Sequence, residues 1–160
     1  MNLVSDLRAF LLALWLGAAV FFSFAVAQSA FAVLPSRELA GLVVNRTLAI
    51  INYSGLIVGL ILLASSFLTG GRKTGSKLWL EQVLLFVLTA ACAAGQFIIG
   101  ASLQNLRQRI GRPVEELAID DPLRVAFNNL HGYSVIILSA AMMAAIIVFF
   151  LLAHHRKREQ

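Results

Sequence analysis

Charge is missing over long stretches of this chain. From Val125 to Ala153 there is no Asp, Glu, Lys or Arg, and the runs Ala9 to Leu34, Thr47 to Gly71 and Val83 to Leu106 are uncharged as well. A soluble domain of this length mixes charge into every helix to cover its surface, so the pattern excludes an ordinary soluble fold. At about 1.5 Å per residue, such runs can cross a hydrocarbon core of roughly 30 Å. Cysteine is nearly absent too: Cys92 stands alone in an apolar run, which excludes an intramolecular disulfide and suggests packing rather than reactive chemistry. Of three histidines, only His131 lies inside an apolar span. A bis-histidine haem is therefore not expected, because it needs two histidines on facing helices. A closed metal site is not expected either, since His131, Cys92 and the pair Met142-Met143 fall at different depths. No phosphate-binding glycine loop is present. A Ser/His/Asp constellation lacks its acid, because Ser134 and His131 share one helix but no acidic partner is expected within the membrane. No cofactor and no enzymatic activity are expected.

What the chain does have is apolar length: 59% of its residues are hydrophobic and 13% charged. Residues 1–160 are accounted for by one all-α domain, an integral membrane bundle of four transmembrane helices with short loops, over spans of approximately 9–34, 47–69, 78–106 and 125–153. Ala25-Val26-Ala27 resembles a signal-peptide cleavage site, but the apolar run continues past it through Phe31 and Leu34, so the first span is read as uncleaved. Leu34-Pro35-Ser36 is a turn, with Pro35 stopping the first helix and Ser36 able to cap the next. The piece from Ser36 to Arg46 fits either an interfacial helix or the top of the second span. Gly70 to Lys77 reads as a flexible basic loop, with Ser76 a cap candidate, and Trp79 falls where an interfacial anchor belongs. The third helix is expected to run on past Leu106 through Gln108 and Arg109 into Gly111. Asp120 or Asp121 can cap the fourth helix, with Pro122 in its first turn.

The net charge of +5 does not imply nucleic acid, because the basic residues sit at span ends, beside an anionic membrane surface. Arg8, Arg72, Lys73, Lys77, Arg156, Lys157 and Arg158 share one side; Arg37, Arg46, Arg107, Arg109, Arg112 and Arg124 share the other, with five acids beside them. Acid-poor basic clusters at the ends of spans are retained in the cytoplasm, so both termini are expected there, in a bacterial cytoplasmic (inner) membrane.

The polar intramembrane residues divide by depth. His131 lies about 10 Å inside the fourth span, Asn52 and Gln28 at a comparable depth in the second and first, and Gln96 deeper in the third. The inner halves, at Leu60 to Leu63, Leu84 to Val87 and Ile146 to Leu152, read as almost purely apolar. Helical spacing puts Arg124, Asn128, His131 and Val135 on one stripe beside Ser134. It likewise aligns Asn45, Ala49, Asn52, Gly55 and Gly59 on the second helix, and Cys92, Gln96, Gly100, Leu103 and Arg107 on the third. Unpaired polar groups in hydrocarbon cost several kcal/mol, so these stripes are expected to face one another. Two readings stay open. In one, the polar groups only fix helix pairing, with the small-residue faces Ala13/Gly17, Gly55/Gly59, Ala91/Gly95 and Ala140/Ala144 giving close approach. In the other, His131, Ser134, Asn128, Asn52, Gln28 and Gln96 line an outer-facing site for a small solute or ion.

The segment Phe127-Asn128-Asn129-Leu130-His131-Gly132-Tyr133-Ser134 resembles the Phe-x-x-Leu-His-Gly-x-Ser segment of the family called domain of unknown function 4149, which is related to transmembrane protein 205. Phe31-Ala32-Val33-Leu34-Pro35 followed by Gly41-Leu42-Val43 is similar to that family's first connection. The resemblance covers about Leu11 to Leu152 and implies a small four-helix membrane protein with no established reaction. It carries over to His131, Gly132 and Ser134 in the motif, and to Pro35 and Gly41 in the connection. Leu138 and Gln28-Ser29 depart from the expected pattern. The sequence therefore predicts a non-enzymatic bundle in contact with lipid, acting in transport or permeation, or else serving as a structural or assembly subunit. A four-helix unit is thin for a pore, which makes a homo-oligomer a further expectation.

Overall fold

The structure, a computed structural model, describes residues 3–69 and 76–156, with side chains for 3–67 and 78–153. Its order is α1 (Leu3–Val33), α2 (Arg37–Thr69), α3 (76–110) and α4 (Pro122–Arg156). All four are long and apolar enough to cross a membrane. The basic loop with Arg72 and Lys73, and Lys157 and Arg158 in the tail, lie outside the described residues. So do the side chains of Ser76, Lys77, His154, His155 and Arg156.

The connections form as their residues dictate. α1 stops at Val33 because Leu34 turns extended, ψ 143°, ahead of Pro35, whose ring disfavours helical backbone in the preceding residue. Ser36 then caps α2, its Oγ accepting from the Leu39 N–H at 3.2 Å. From there α2 is continuous, so the piece Ser36 to Arg46 is the top of the second span and not a separate interfacial helix. α3 ends at Ile110, where Gly111 takes the left-handed conformation (φ 64°) and its N–H donates to the Arg107 carbonyl at 3.0 Å. A single 3-10 turn, Val114–Glu116, crosses to α4. There Asp121 Oδ1 accepts from the Leu123 N–H at 2.8 Å and Pro122 occupies the first turn.

α3 packs along both α2 and α4, and α1 leans on α2 and α4. The core between them is apolar: Leu12, Trp15, Ala19 and Phe22 of α1 meet Ile51 and Leu62, Leu85, Leu88 and Cys92, and Leu138, Ala141, Ala145 and Val148. Trp15 resolves its one polar atom by donating Nε1–H to the Ile51 carbonyl at 3.0 Å. Small residues set some of these approaches and not others. A Cβ on Gly55 would meet Trp15 and Cys92, and one on Gly59 would meet Thr89 and Leu88, but one on Gly17 meets nothing within 4 Å. The Gly55/Gly59 face is therefore a helix contact. Ala13/Gly17 faces outward instead.

Two helices are locally unwound. α1 carries a π-helical segment at Phe22–Val26 and α3 a longer one at Ala94–Gly100. Such i→i+5 bonding shifts the phase of every residue after it.

The inner half of the bundle is not purely apolar, contrary to the sequence reading. Arg8 is 5% exposed and its Nη2 donates both to Glu81 Oε1 at 2.5 Å and to the Leu62 carbonyl at 3.3 Å. Glu81 is 1% exposed. One buried cation thus ties the start of α1 to α2 and α3. Taken singly, each of these two residues sits near a span end, where an interfacial charge is ordinary. An acid does lie within a span, but it is committed to Arg8.

Candidate functional site

At the end of the bundle opposite this ion pair, the last turns of α1 and α3, the first turns of α2 and α4, and the connection after Gly111 leave a cleft of about 610 Å³. α4 supplies Arg124, Phe127, Asn128, His131 and Ser134 to its wall, a set that includes most of the stripe expected from helical spacing. Asn128 and His131 are exposed, while Ser134 is 7% exposed at the inner edge. α2 supplies Arg37, Glu38, Gly41, Leu42, Val44, Asn45 and Leu48, α3 supplies Leu103, Arg107 and Gln108, and Phe31 comes from α1. Arg112, Pro113, Val114 and Glu115 close it from the connection.

The arginines are held in particular ways. Arg107, half-buried, lies with its guanidinium carbon 5.4 Å from the centre of the Phe127 ring. Its other side rests against Gly41, where a Cβ would come within 2.7 Å of Nη2. Arg124 donates Nη1–H to the Leu117 carbonyl at 2.7 Å, which pins the connection over the top of α4.

The six polar residues singled out from the sequence do not all meet. Asn128, His131 and Ser134 share the cleft wall. Asn52 is buried below it, its amide against Gly95, where a Cβ would lie 3.2 Å from Nδ2. Gln96 is half-buried within the π-helical segment of α3, and Gln28 is exposed on α1 beyond the first π-helical segment; neither lines the cleft. Gly132 meets no neighbour within 4 Å of a built Cβ, so the motif glycine is not a packing contact. Pro35 ends α1, and Gly41 makes room for Arg107. None of the arginines is among the six site residues expected from the sequence, although four of them line the cleft. Helical spacing places Arg124 and Arg107 on facing stripes, but Arg37 and Arg112 enter the sequence reading only through the count of charge on each side; the common position of all four at one end of the spans is the signal that they could converge. Among the described residues no three of His, Cys, Asp and Glu come together as metal ligands.

Four membrane-length helices around an apolar core, with a cleft of mixed polar and apolar lining at their ends, define an integral membrane four-helix bundle. The chain belongs to the DUF4149 family, a domain of unknown function, whose model matches residues 10–112. The match takes in Pro35, Gly41 and the whole first connection, and ends before the segment Phe127 to Ser134. No curated protein and no solved structure matches the chain.

Proposed function

We propose that this protein is a non-enzymatic membrane protein that takes a small solute or ion into its end cleft as the binding step of transport or permeation. The observation that carries the reading is the cleft itself: about 610 Å³, open, polar on its α4 wall, and built from the ends of all four helices. A bundle whose polar residues served only to pair helices would bury them against one another, yet Asn128 and His131 are left exposed in the cleft. In this reading both termini are cytoplasmic and the cleft faces outward from a bacterial inner membrane, in keeping with the acid-poor basic clusters at the other end. Passage onward requires the core around Trp15, Ile51, Cys92 and Leu138 to part, since it is closed below the cleft. A second copy of the chain is one way to complete such a path.

Flux tests this reading. Proteoliposomes holding the purified chain are challenged with glycerol, chloride, acetate and inorganic phosphate. Transport predicts protein-dependent flux of at least one of them, abolished by Ser134→Trp at the inner edge of the cleft. No flux for any of the four would favour the assembly-subunit reading, which the buried Arg8–Glu81 tie between three helices also suits.

A further inference from the structure

The charge in the cleft is lopsided. Arg37, Arg107, Arg112 and Arg124 line it against Glu38 and Glu115, a formal excess of two positive charges. Among the described residues no ion pair joins any of these six side chains, although the field of Glu38 reaches Arg107. A guanidinium is a donor only and has five N–H groups. Arg124 commits Nη1 to Leu117, and Arg107 is steadied between Phe127 and Gly41, so both present further donors in a fixed orientation. Arginine forks suit the two-oxygen edge of a phosphate or carboxylate, and they repel cations. Beside them the wall is apolar: Phe31 and Leu42 line the cleft and remain 49% and 51% exposed, uncovered by anything in the fold.

We infer that the cleft is an oxyanion site, taking a phosphate or carboxylate on the Arg107 and Arg124 guanidinium groups with the body of the ligand against Phe31 and Leu42. The inference rests on the reading of the cleft as a solute site and names the ligand class. Two sources have this chemistry: the headgroup of an anionic lipid, which lies at the depth of the span ends, and an oxyanion from the water.

The test is binding to the purified full-length chain. Native mass spectrometry with phosphatidylglycerol against phosphatidylcholine probes the lipid source, and calorimetric titration with octyl phosphate and inorganic phosphate probes the soluble one. One equivalent of phosphatidylglycerol retained in preference to phosphatidylcholine supports the inference with a lipid source; saturable binding of either phosphate supports it with a soluble one. R107Q and R124Q should each weaken binding about ten-fold or more, because each removes a charge-assisted contact. R107K, which keeps the charge but not the fork, should also weaken it. R46Q alters an exposed arginine outside the cleft and should leave binding unchanged. Equal retention of the two lipids together with no binding of either phosphate, or an equal loss in R46Q and R107Q, would overturn the inference. Oxyanion binding without flux contradicts transport and keeps the oxyanion site; glycerol flux without oxyanion binding does the reverse.

Discussion

Gly41 and Arg107 occupy one another's space: the guanidinium lies where a side chain on Gly41 would begin, with Nη2 2.7 Å from a built Cβ. The neighbour is the far end of a flexible side chain, so the fold can give way there without moving a helix. Gly41→Ala is therefore expected to fold, helped by up to about 1 kcal/mol of helix propensity. It should move the guanidinium off the Phe127 ring and weaken phosphate or phosphatidylglycerol binding several-fold. Binding measured beside an unchanged helical circular dichroism spectrum checks this.

The Arg8–Glu81 pair predicts an asymmetry between single and double variants. Removing one partner strands a buried charge, and Glu81→Leu or Arg8→Met alone should cost about 3–5 kcal/mol. Replacing both with apolar residues should recover most of that loss. Unfolding midpoints in mixed detergent measure it, and singles as stable as the parent protein would mean that the pair is hydrated.

Gly55 and Gly17 make a matched comparison, since both are helical glycines within apolar spans. Gly55→Ala pushes a methyl group into Trp15 and Cys92 and should cost about 1–3 kcal/mol by overpacking. Gly17→Ala meets nothing and should be neutral or slightly stabilising. The same detergent titration separates them.

The spans were legible in the sequence because long uncharged runs allow little else, and Ser36, Asp121, Pro35 and Gly111 announced the connections through ordinary capping and turn chemistry. The α4 wall was legible as well: Arg124, Asn128 and His131 follow one uninterrupted α-helical stripe and share the cleft. The α2 stripe turns inward too, with Asn45 in the cleft and Gly55 and Gly59 against neighbouring helices, whereas Gln96 and Gln28 do not reach the cleft. Gln96 lies inside the π-helical segment Ala94–Gly100 and Gln28 follows the one at Phe22–Val26, and each segment shifts the phase of the residues in and after it. Helical spacing alone carries no sign of such a slip. The Arg8–Glu81 pair was hidden differently, because each residue at a span end reads singly as an interfacial charge. Only the packing of α1 beside α3 brings them together.

A solute site at the end of the bundle requires water in the cleft, and thiol access at His131 measures it most directly. In a Cys92→Ala background, His131→Cys and Ile136→Cys are treated in intact cells with a charged, membrane-impermeant methanethiosulfonate. Both positions are exposed on α4, but only His131 lines the cleft. Rapid modification of the His131→Cys thiol from outside the cell and protection of the Ile136→Cys thiol are expected. Protection of both would mean that lipid or a partner fills the space and contradicts a water-filled cleft, and modification of the His131→Cys thiol only after the inner face is opened would reverse the orientation and contradict an outward-facing one.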